Sequence, residues 1–118
     1  MTYVDGFLLS VPKKKLPAYR KMAQLGAKVW MKHGALEYRE CIGDDMKAKG
    51  MRTFPSVVKP KSGETVVFSW IVYKSKAHRD AVNKKVMKDP ALAGMMGQDM
   101  PFDCKRMSYG GFKVLVER

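Results

Sequence analysis

One stretch, residues 64–87, constrains the fold more than any other part of the chain. Residues 65–73 form an almost continuous apolar run rich in β-branched and aromatic side chains, which predicts a β-strand. Both faces of this strand are largely apolar, as in a central strand that is covered on two sides. Ser75 then provides a suitable N-cap for a helix that continues through Val86. A strand followed by a helix is therefore the unit around which the rest of the chain is expected to pack.

Hydrophobic periodicity predicts the other elements on either side of this unit. Further strands are expected at residues 3–11, 35–42 and 107–116, and a helix at residues 14–33. Residues 43–63 are predicted to be a long surface loop with a helical turn near residues 54–58, and a further turn is expected at residues 91–96. A chain of 118 residues has room for one core, so a single domain spanning residues 1–118 is predicted.

The order of these elements, β-α-β-β-α-β, is the split βαβ pattern of ferredoxin-like folds. The predicted fold class is α+β. It is a ferredoxin-like βαββαβ protomer with a four-stranded, antiparallel-type mixed sheet in the order 4-1-3-2 and two helices on one face. In this prediction, right-handed crossovers leave strands one and three parallel in the centre of the sheet.

The face of the sheet that lacks helices is also predicted to be apolar, because strand three carries apolar side chains on both of its faces. A patch of that size exceeds what a soluble monomer usually exposes. A second copy of the chain is the simplest cover. We therefore expect a sheet-to-sheet homodimer that forms a dimeric α/β barrel.

The charge balance is the outlying property of the composition, since 23 lysine and arginine residues against 11 acidic residues give a formal net charge of +12. Such a charge suits nucleic acid or another polyanion as a partner, or simply a well-solvated lysine surface. No apolar run approaches the ~18 residues that a membrane span needs, so no membrane partner is expected. Cys41 and Cys104 show no metal-ligand spacing and are expected to be reduced thiols of a cytoplasmic protein.

Several motifs distributed over nearly the whole chain form a specific set. They are residues 3–7 (YVDGF), 19–23 (YRKMA), 33–38 (HGALEY), 63–73 (GETVVFSWIVY), 77–80 (AHRD), 100–103 (MPFD), 105–107 (KRM) and 109–112 (YGGF). This set resembles the YbaA-like bacterial family, a family of unknown function with a dimeric α/β-barrel fold. The resemblance implies a ferredoxin-like protomer in a dimer, and it implies no particular activity.

Two groups of cations follow strands one and three. Lysines occupy positions 13–15 at the start of the first helix, and Lys74, Lys76, His78 and Arg79 surround the start of the second. If the two strands are parallel neighbours, both helices begin at the same end of the sheet, where free N–H groups and cations suit a phosphate or carboxylate. The alternative is a solvated lysine cluster that tolerates mild repulsion.

Asp5 and His78 are the candidate catalytic residues. Asp5 lies on a central strand, where a carboxylate has to be paired or kept near solvent, so it is either half of a structural ion pair or one wall of a polar pocket. His78, in the first turn of the second helix, is either a general base or a packed, hydrogen-bonded side chain. The candidate ligand-binding residues are Tyr3, His33, Glu37, Trp70, Lys76, Arg79 and Tyr109.

The favoured function is binding of a small organic ligand, anionic if the cations contact it, in a cavity between sheet and helices. The wider fold group of the resembled family includes cofactor-free monooxygenases and lactone isomerases, so a cofactor-independent oxygenase or isomerase activity is one expectation. Asp5 or His78 would then be the base, Arg79 would orient an anionic group, and Trp70 and Tyr109 would form a wall. No cofactor is predicted, and two histidines without ligand spacing predict no metal site.

Two alternatives stay open. An RNA-recognition motif has the same element order and stacks bases on aromatic residues of strands one and three, where this chain has Tyr3, Phe7, Phe68 and Trp70. Against it, the sheet is largely aliphatic, and strand three lacks the basic-glycine-aromatic start of that motif. The second alternative is a non-catalytic, stress-related or structural dimer.

Overall fold

In the computed structural model, which describes residues 1–96 and 100–118, the expected elements occur in the expected order. The strands are β1 (Tyr3–Pro12), β2 (Glu37–Ile42), β3 (Glu64–Tyr73) and β4 (Ser108–Lys113). The helices are α1 (Leu16–Lys32), α2 (Phe54–Val58), α3 (Lys76–Met87) and α4 (Pro90–Met96). Short 3₁₀ turns lie at Lys13–Lys15 and Cys104–Arg106. The helical turns expected near residues 54–58 and 91–96 are thus α2 and most of α4.

The two long helices begin and end at residues suited to those positions. The Ser75 hydroxyl accepts a hydrogen bond from the backbone N–H of His78 at 3.1 Å, which satisfies one of the free donors of α3. Pro17 lies in the first turn of α1, where a missing N–H costs little. Gly34 follows α1 with a φ of 115°, a left-handed conformation that glycine adopts without a Cβ clash.

The four strands form one sheet in the order β2-β3-β1-β4, which is the expected 4-1-3-2 order read from the other edge. β1 pairs with β3 over its full length, from Tyr3 opposite Tyr73 to Pro12 opposite Glu64. β4 pairs with the first half of β1 and ends at Lys113, opposite Tyr3. Val114 still donates its backbone N–H to the Thr2 carbonyl at 3.2 Å, but the strand itself ends at Lys113, so β4 is shorter than expected.

The predicted parallel pairing of strands one and three is wrong, because β1 and β3 are antiparallel. β1 is parallel to β2 but not adjacent to it, because the antiparallel strand β3 lies between them. β3 and β4 are likewise parallel, with the antiparallel strand β1 between them. The helices after β1 and β3 therefore begin at opposite ends of the sheet. Lysines 13–15 and the cations around the start of α3 do not converge, so the anion site expected from their meeting is wrong as well.

The helices cover the sheet face formed by the odd-numbered residues of β1 and β3. One group of buried side chains joins α1, α3 and α4 to the β2 side of the sheet and includes Val29, Ile71, Tyr73 and Val86. A second group packs the first half of α1 on the Pro12 end of β1 and includes Leu9, Val11 and Tyr19. We call this covered side the helix face.

The opposite side of the sheet, the outer face, is apolar and only partly covered. Phe68 of β3 is 43% exposed and Phe112 of β4 is 62% exposed on this face. The short helix α2 lies over one part of it, where the Phe54 ring stacks on Phe68 with centroids 6.1 Å apart. The two long helices leave this apolar face uncovered, as expected, but the short helix α2 covers part of it.

Candidate functional site

A cavity of about 420 Å³ lies between the helix face of the sheet and the helices that cover it. Its walls are mainly aromatic and aliphatic, and they include Phe7, Trp30, Ile71, Leu92 and Phe102. Methionines 22, 87, 100 and 107 also line it. Two carboxylates, those of Asp5 and Glu40, reach the same cavity from different strands and are the charged groups around which the site is built.

Asp5 is a buried carboxylate with a tyrosine and an arginine as partners. Its side chain is only 2% exposed, and the Tyr109 hydroxyl donates a hydrogen bond to Asp5 Oδ1 at 3.0 Å. Arg79 Nη1 lies 3.8 Å from the same oxygen and donates to the Tyr109 hydroxyl at 3.0 Å. Burial raises the pKa of Asp5 above its ordinary value, although both partners oppose the shift. The Asp5 carboxyl group therefore keeps its proton to a higher pH than the carboxyl group of an exposed aspartate does.

Arg79 is held in place from several sides. Its Nη2 donates to the Tyr3 hydroxyl at 3.2 Å, and its guanidinium lies over the Tyr3 ring, 5.0 Å from the centroid. Its Nε lies 3.3 Å from Asp80 Oδ1. Together, Asp5, Tyr109, Arg79 and Tyr3 form one connected group, which we call the Asp5 cluster.

Glu40 of β2 forms a second polar group with two tyrosines, which we call the Glu40 cluster. The Tyr19 hydroxyl donates to Glu40 Oε1 at 2.7 Å, and the Tyr38 hydroxyl donates to Oε2 at 2.8 Å. Burial, reinforced by the negative charge of Glu40, raises the pKa of both Tyr19 and Tyr38. Both hydroxyls consequently stay protonated and remain donors to the carboxylate.

The Glu40 cluster also borders a second space, a groove of about 780 Å³ between α1 and the edge strand β2. Tyr19, Tyr38 and Glu40 line both the cavity and the groove, so they form the partition between the two. Arg20 and Cys41 lie on the groove side of this partition.

Asn83 of α3 joins two further aromatic residues at the cavity wall. Its Oδ1 accepts hydrogen bonds from Trp30 Nε1 at 3.0 Å and from the Tyr73 hydroxyl at 3.3 Å. Burial raises the pKa of Tyr73, so this hydroxyl is also a donor rather than an anion. The contact fixes α1, α3 and β3 relative to one another around the site.

The structure brings four of the sequence-predicted site residues together, since Tyr3, Asp5, Arg79 and Tyr109 make up the Asp5 cluster. These residues are far apart in sequence and meet because β1 lies between β3 and β4, with α3 starting beside Tyr3.

The other predicted site residues lie elsewhere. His78 Nδ1 accepts the backbone N–H of Lys74 at 2.9 Å, and its ring packs edge-on against Tyr73. His33 Nε2 lies 2.7 Å from Asp89 Oδ2. Trp70 Nε1 donates to Glu37 Oε1 at 3.0 Å on the outer face, and Lys76 is exposed at the start of α3. Ligand contacts for His33, Glu37, Trp70, Lys76 and His78 stay predictions.

Sequence reasoning missed the Glu40 cluster and Asn83. The signal for Glu40 was its position two residues after Tyr38. Alternate residues of a strand share a face, so Glu40 points to the same side of the sheet as Tyr38.

The aromatic platform expected of an RNA-recognition motif does not form as one surface. Tyr3 and Phe7 point to the helix face, whereas Phe68 and Trp70 belong to the outer face.

Among residues 1–96 and 100–118, no group of three or more His, Cys, Asp and Glu side chains is placed to hold a metal ion. Over the same described part of the chain, none of the helices has the length and apolar character needed to cross a membrane.

The model of a family described as protein of unknown function (DUF1428) matches residues 2–104 of the chain. The chain belongs to the DUF1428 family. Two DUF1428-like relatives are the uncharacterized protein YbaA of Escherichia coli (strain K12) and the uncharacterized protein YbaA of Shigella flexneri. Each is 46% identical to this chain over 117 residues, covering 99% of both proteins. The family resemblance seen in the motifs is confirmed.

Several solved structures share the fold of this DUF1428 chain at low sequence identity. Rv0793 from Mycobacterium tuberculosis has a TM-score of 0.60 and 14% identity, covering 99% of this chain and 98% of that chain. An uncharacterized NIPSNAP domain protein from Burkholderia xenovorans has a TM-score of 0.60 and 15% identity, covering 95% and 93%. A dimeric ferredoxin-like protein from an uncultured marine organism has a TM-score of 0.54 and 13% identity, covering 100% of both. The ferredoxin-like fold class is confirmed.

Proposed function

We propose that this protein binds a small organic molecule in the cavity between sheet and helices. The observation that carries the proposal is the Asp5 cluster, in which a carboxylate that is 2% exposed reaches a mainly aromatic and aliphatic cavity. A volume of about 420 Å³ lies within the range of ligand sites, which are typically ~300–1,000 Å³ and apolar with a few convergent polar groups.

The same cluster supports proton transfer as the chemistry of the site. A carboxylate whose pKa is raised by burial becomes a better proton acceptor near neutral pH, and Asp5 has this property. Asp5 would take a proton from an acidic C–H or O–H group of the ligand, and the Tyr109 hydroxyl would hold the carboxylate in place. If the proton returns to a different atom of the ligand, the reaction is an isomerisation. If the carbanion instead reacts with dioxygen, the reaction is a cofactor-independent oxygenation.

A homodimer through the outer face completes the proposal. Exposed aromatic side chains such as Phe68 and Phe112 lie on that face, and a second copy would remove them from water. One structure with the same fold is described as a dimeric ferredoxin-like protein, which supports a dimer without identifying the face that pairs.

The cavity proposal can be tested by ligand-detected NMR with a library of aromatic fragments. We expect several fragments to bind the wild type and to be lost from Ser69→Leu, because Ser69 is buried at the cavity wall and a leucine there fills the space. The matched control is Ser62→Leu, an exposed loop position that should leave binding unchanged. Absence of any binding at millimolar concentration, or equal binding to both variants, would refute the proposal.

The proton-transfer step is tested once a bound compound is known. Exchange of its acidic C–H in D₂O should be accelerated by the wild type and slowed at least ~100-fold by Asp5→Asn, since a positioned base typically contributes that much. Binding of the compound by the variant should persist. Unchanged exchange in Asp5→Asn would eliminate Asp5 as the base.

A further inference from the structure

The charges that line the cavity have the opposite sign to the charge of the whole protein. The chain has a formal net charge of +12, yet the charged side chains at the cavity wall are the carboxylates of Asp5 and Glu40. Within the described ranges, 1–96 and 100–118, no lysine, arginine or histidine lines the cavity. The ionisable side chains at the described cavity wall are therefore carboxylates and tyrosine hydroxyls.

The two carboxylates differ in their partners. Asp5 has Arg79 at 3.8 Å, whereas Glu40 has no basic nitrogen within 4.0 Å among the residues that the structure describes. A carboxylate offers about four acceptor positions, and the two tyrosines of the Glu40 cluster occupy two of them. Glu40 is half-buried, so a cationic donor arriving from the cavity would make a charge-assisted hydrogen bond at one of the open positions.

The neighbouring walls suit the same kind of ligand. Trp30 and Tyr38 lie side by side, with ring centroids 6.3 Å apart, and both line the cavity with Glu40. Aromatic faces attract ammonium groups, and the methionines of the wall provide a polarisable surface for the apolar part of a ligand. Arg79, in contrast, already contacts Asp5, Tyr3, Tyr109 and Asp80, so it is engaged rather than free for an anion.

We propose that the cavity takes a hydrophobic cation, such as a protonated amine with an aromatic body, and that Glu40 is its counter-ion. This inference rests on the proposed function, since it names the chemical class of the ligand that the cavity binds. The amine lies against the partition formed by the Glu40 cluster, and the aromatic body fills the space between Trp30 and Phe102.

The test is a calorimetric titration with three probes that share one aromatic body: 2-naphthylmethylamine, 2-naphthylmethanol and 2-naphthoate at pH 7. We expect the amine to bind the wild type at least ~10-fold more tightly than the alcohol, because a hydrogen bond to a charged group is worth about that factor or more. The carboxylate should bind more weakly than either. Glu40→Gln should weaken the amine ~10-fold and leave the alcohol within ~2-fold, whereas Asp44→Asn, an exposed change of equal charge, should leave both unchanged.

The outcomes separate this inference from the proposal beneath it. Three results would overturn the preference for a cation while leaving a ligand-binding cavity. They are equal binding of the amine and the alcohol, tighter binding of 2-naphthoate than of the amine, and an amine affinity that Glu40→Gln does not change. Failure of all three probes, together with failure of the fragment library, would overturn the cavity proposal itself. The wild-type comparison of the three probes decides the matter even if the Glu40 variant folds poorly.

Discussion

Asp5 is a buried carboxylate on whose pKa desolvation and charge pairing act in opposite directions. Its carboxylate is buried on the helix face, and Nη1 of its cation partner Arg79 lies 3.8 Å from its Oδ1. Desolvation consequently outweighs the attraction of Arg79, and the pKa of Asp5 is raised. A purely structural ion pair would show the opposite balance.

The raised pKa of Asp5 predicts the sign of a stability change with pH. Between the unfolded value of about 3.8 and the higher folded pKa, the folded state holds a proton that the unfolded state has lost. The contribution of Asp5 to the free energy of unfolding therefore falls as the pH rises through that window. Urea denaturation between pH 4 and pH 7 should show Asp5→Asn gaining stability relative to the wild type as the pH increases.

Asp45→Asn, at an exposed loop position, is the control and should follow the wild type across this range. If the relative stability of Asp5→Asn instead fell with rising pH, the attraction of Arg79 would outweigh burial, and Asp5 would be an ordinary structural carboxylate.

Gly111 offers a second test at the scale of single residues. A Cβ at position 111 would lie against the Tyr3 hydroxyl and 2.9 Å from Tyr3 Cε2, and Tyr3 is itself buried. Gly111→Ala should therefore displace Tyr3 from Arg79 and destabilise the fold by about 1–3 kcal/mol in urea denaturation, the usual cost of overpacking. Gly110→Ala is a matched control, because its Cβ meets Phe112 at 3.5 Å, an ordinary contact. Equal effects of the two changes would show that the space around Tyr3 is not limiting.

At the scale of the elements, local patterns were sufficient for the order of strands and helices but not for their directions. The period of the apolar residues and the caps at Ser75 and Gly34 placed the long elements within a few residues of their observed ends. Strand direction depends on which strands become neighbours. The expectation treats β1 and β3 as the parallel pair, whereas β1 is parallel to β2 and antiparallel to its neighbour β3. That single error produced the expected meeting of cations at one end of the sheet.

The candidate site was predictable in part for the same reason. Asp5 stood out because a carboxylate on a central strand needs a partner, and the structure supplies Arg79, one of the predicted ligand-binding residues. Pairs such as Trp30 with Asn83 depend on how two helices rotate against each other, and nothing local to either residue reports that rotation.

Arg106, in the turn before β4, connects that turn to Glu64 at the start of β3 by hydrogen bonds. Arg106 donates to both carboxylate oxygens of Glu64, each at 2.9 Å, and its Nη2 also donates to the Lys59 carbonyl at 3.3 Å. These bonds, with a backbone N–H from Lys61, lower the pKa of Glu64 to about 2. Because the folded pKa lies below the unfolded value of 4.5, this stabilisation is complete above pH 4.5 and is lost as the pH falls towards 2.

Arg106→Lys should accordingly destabilise the fold at pH 7, since an ammonium group cannot make the two-point contact. The difference from the wild type should shrink as the pH approaches 2. The control is Arg52→Lys at an exposed loop position, which should be neutral in the same urea denaturation series. A cost that does not change with pH would mean that Arg106 acts through packing rather than through Glu64.

At the scale of the whole molecule, the two faces of the sheet differ in chemical character and in exposure. The helix face borders a cavity lined by acidic and neutral groups, and the outer face presents exposed aromatic side chains on a protein whose formal net charge is +12. An outer face of this kind suits either a second copy of the chain or, if it stays open, stacked bases of RNA. These two partners would compete for Phe68 and Trp70, so the oligomeric state decides which surface is free.

Native mass spectrometry of nuclease-treated protein, with and without a short RNA, distinguishes the two. We expect a homodimer at micromolar concentration whose mass is indifferent to RNA. Phe68→Lys should convert it to a monomer, because it places a charge at the centre of the outer face, where apolar contact is needed. Met31→Lys, an exposed apolar position on α1, is the matched control and should remain dimeric. A wild-type monomer that takes up RNA in a salt-sensitive manner would instead show that the outer face is a nucleic-acid surface, because phosphate contacts weaken as the salt concentration rises.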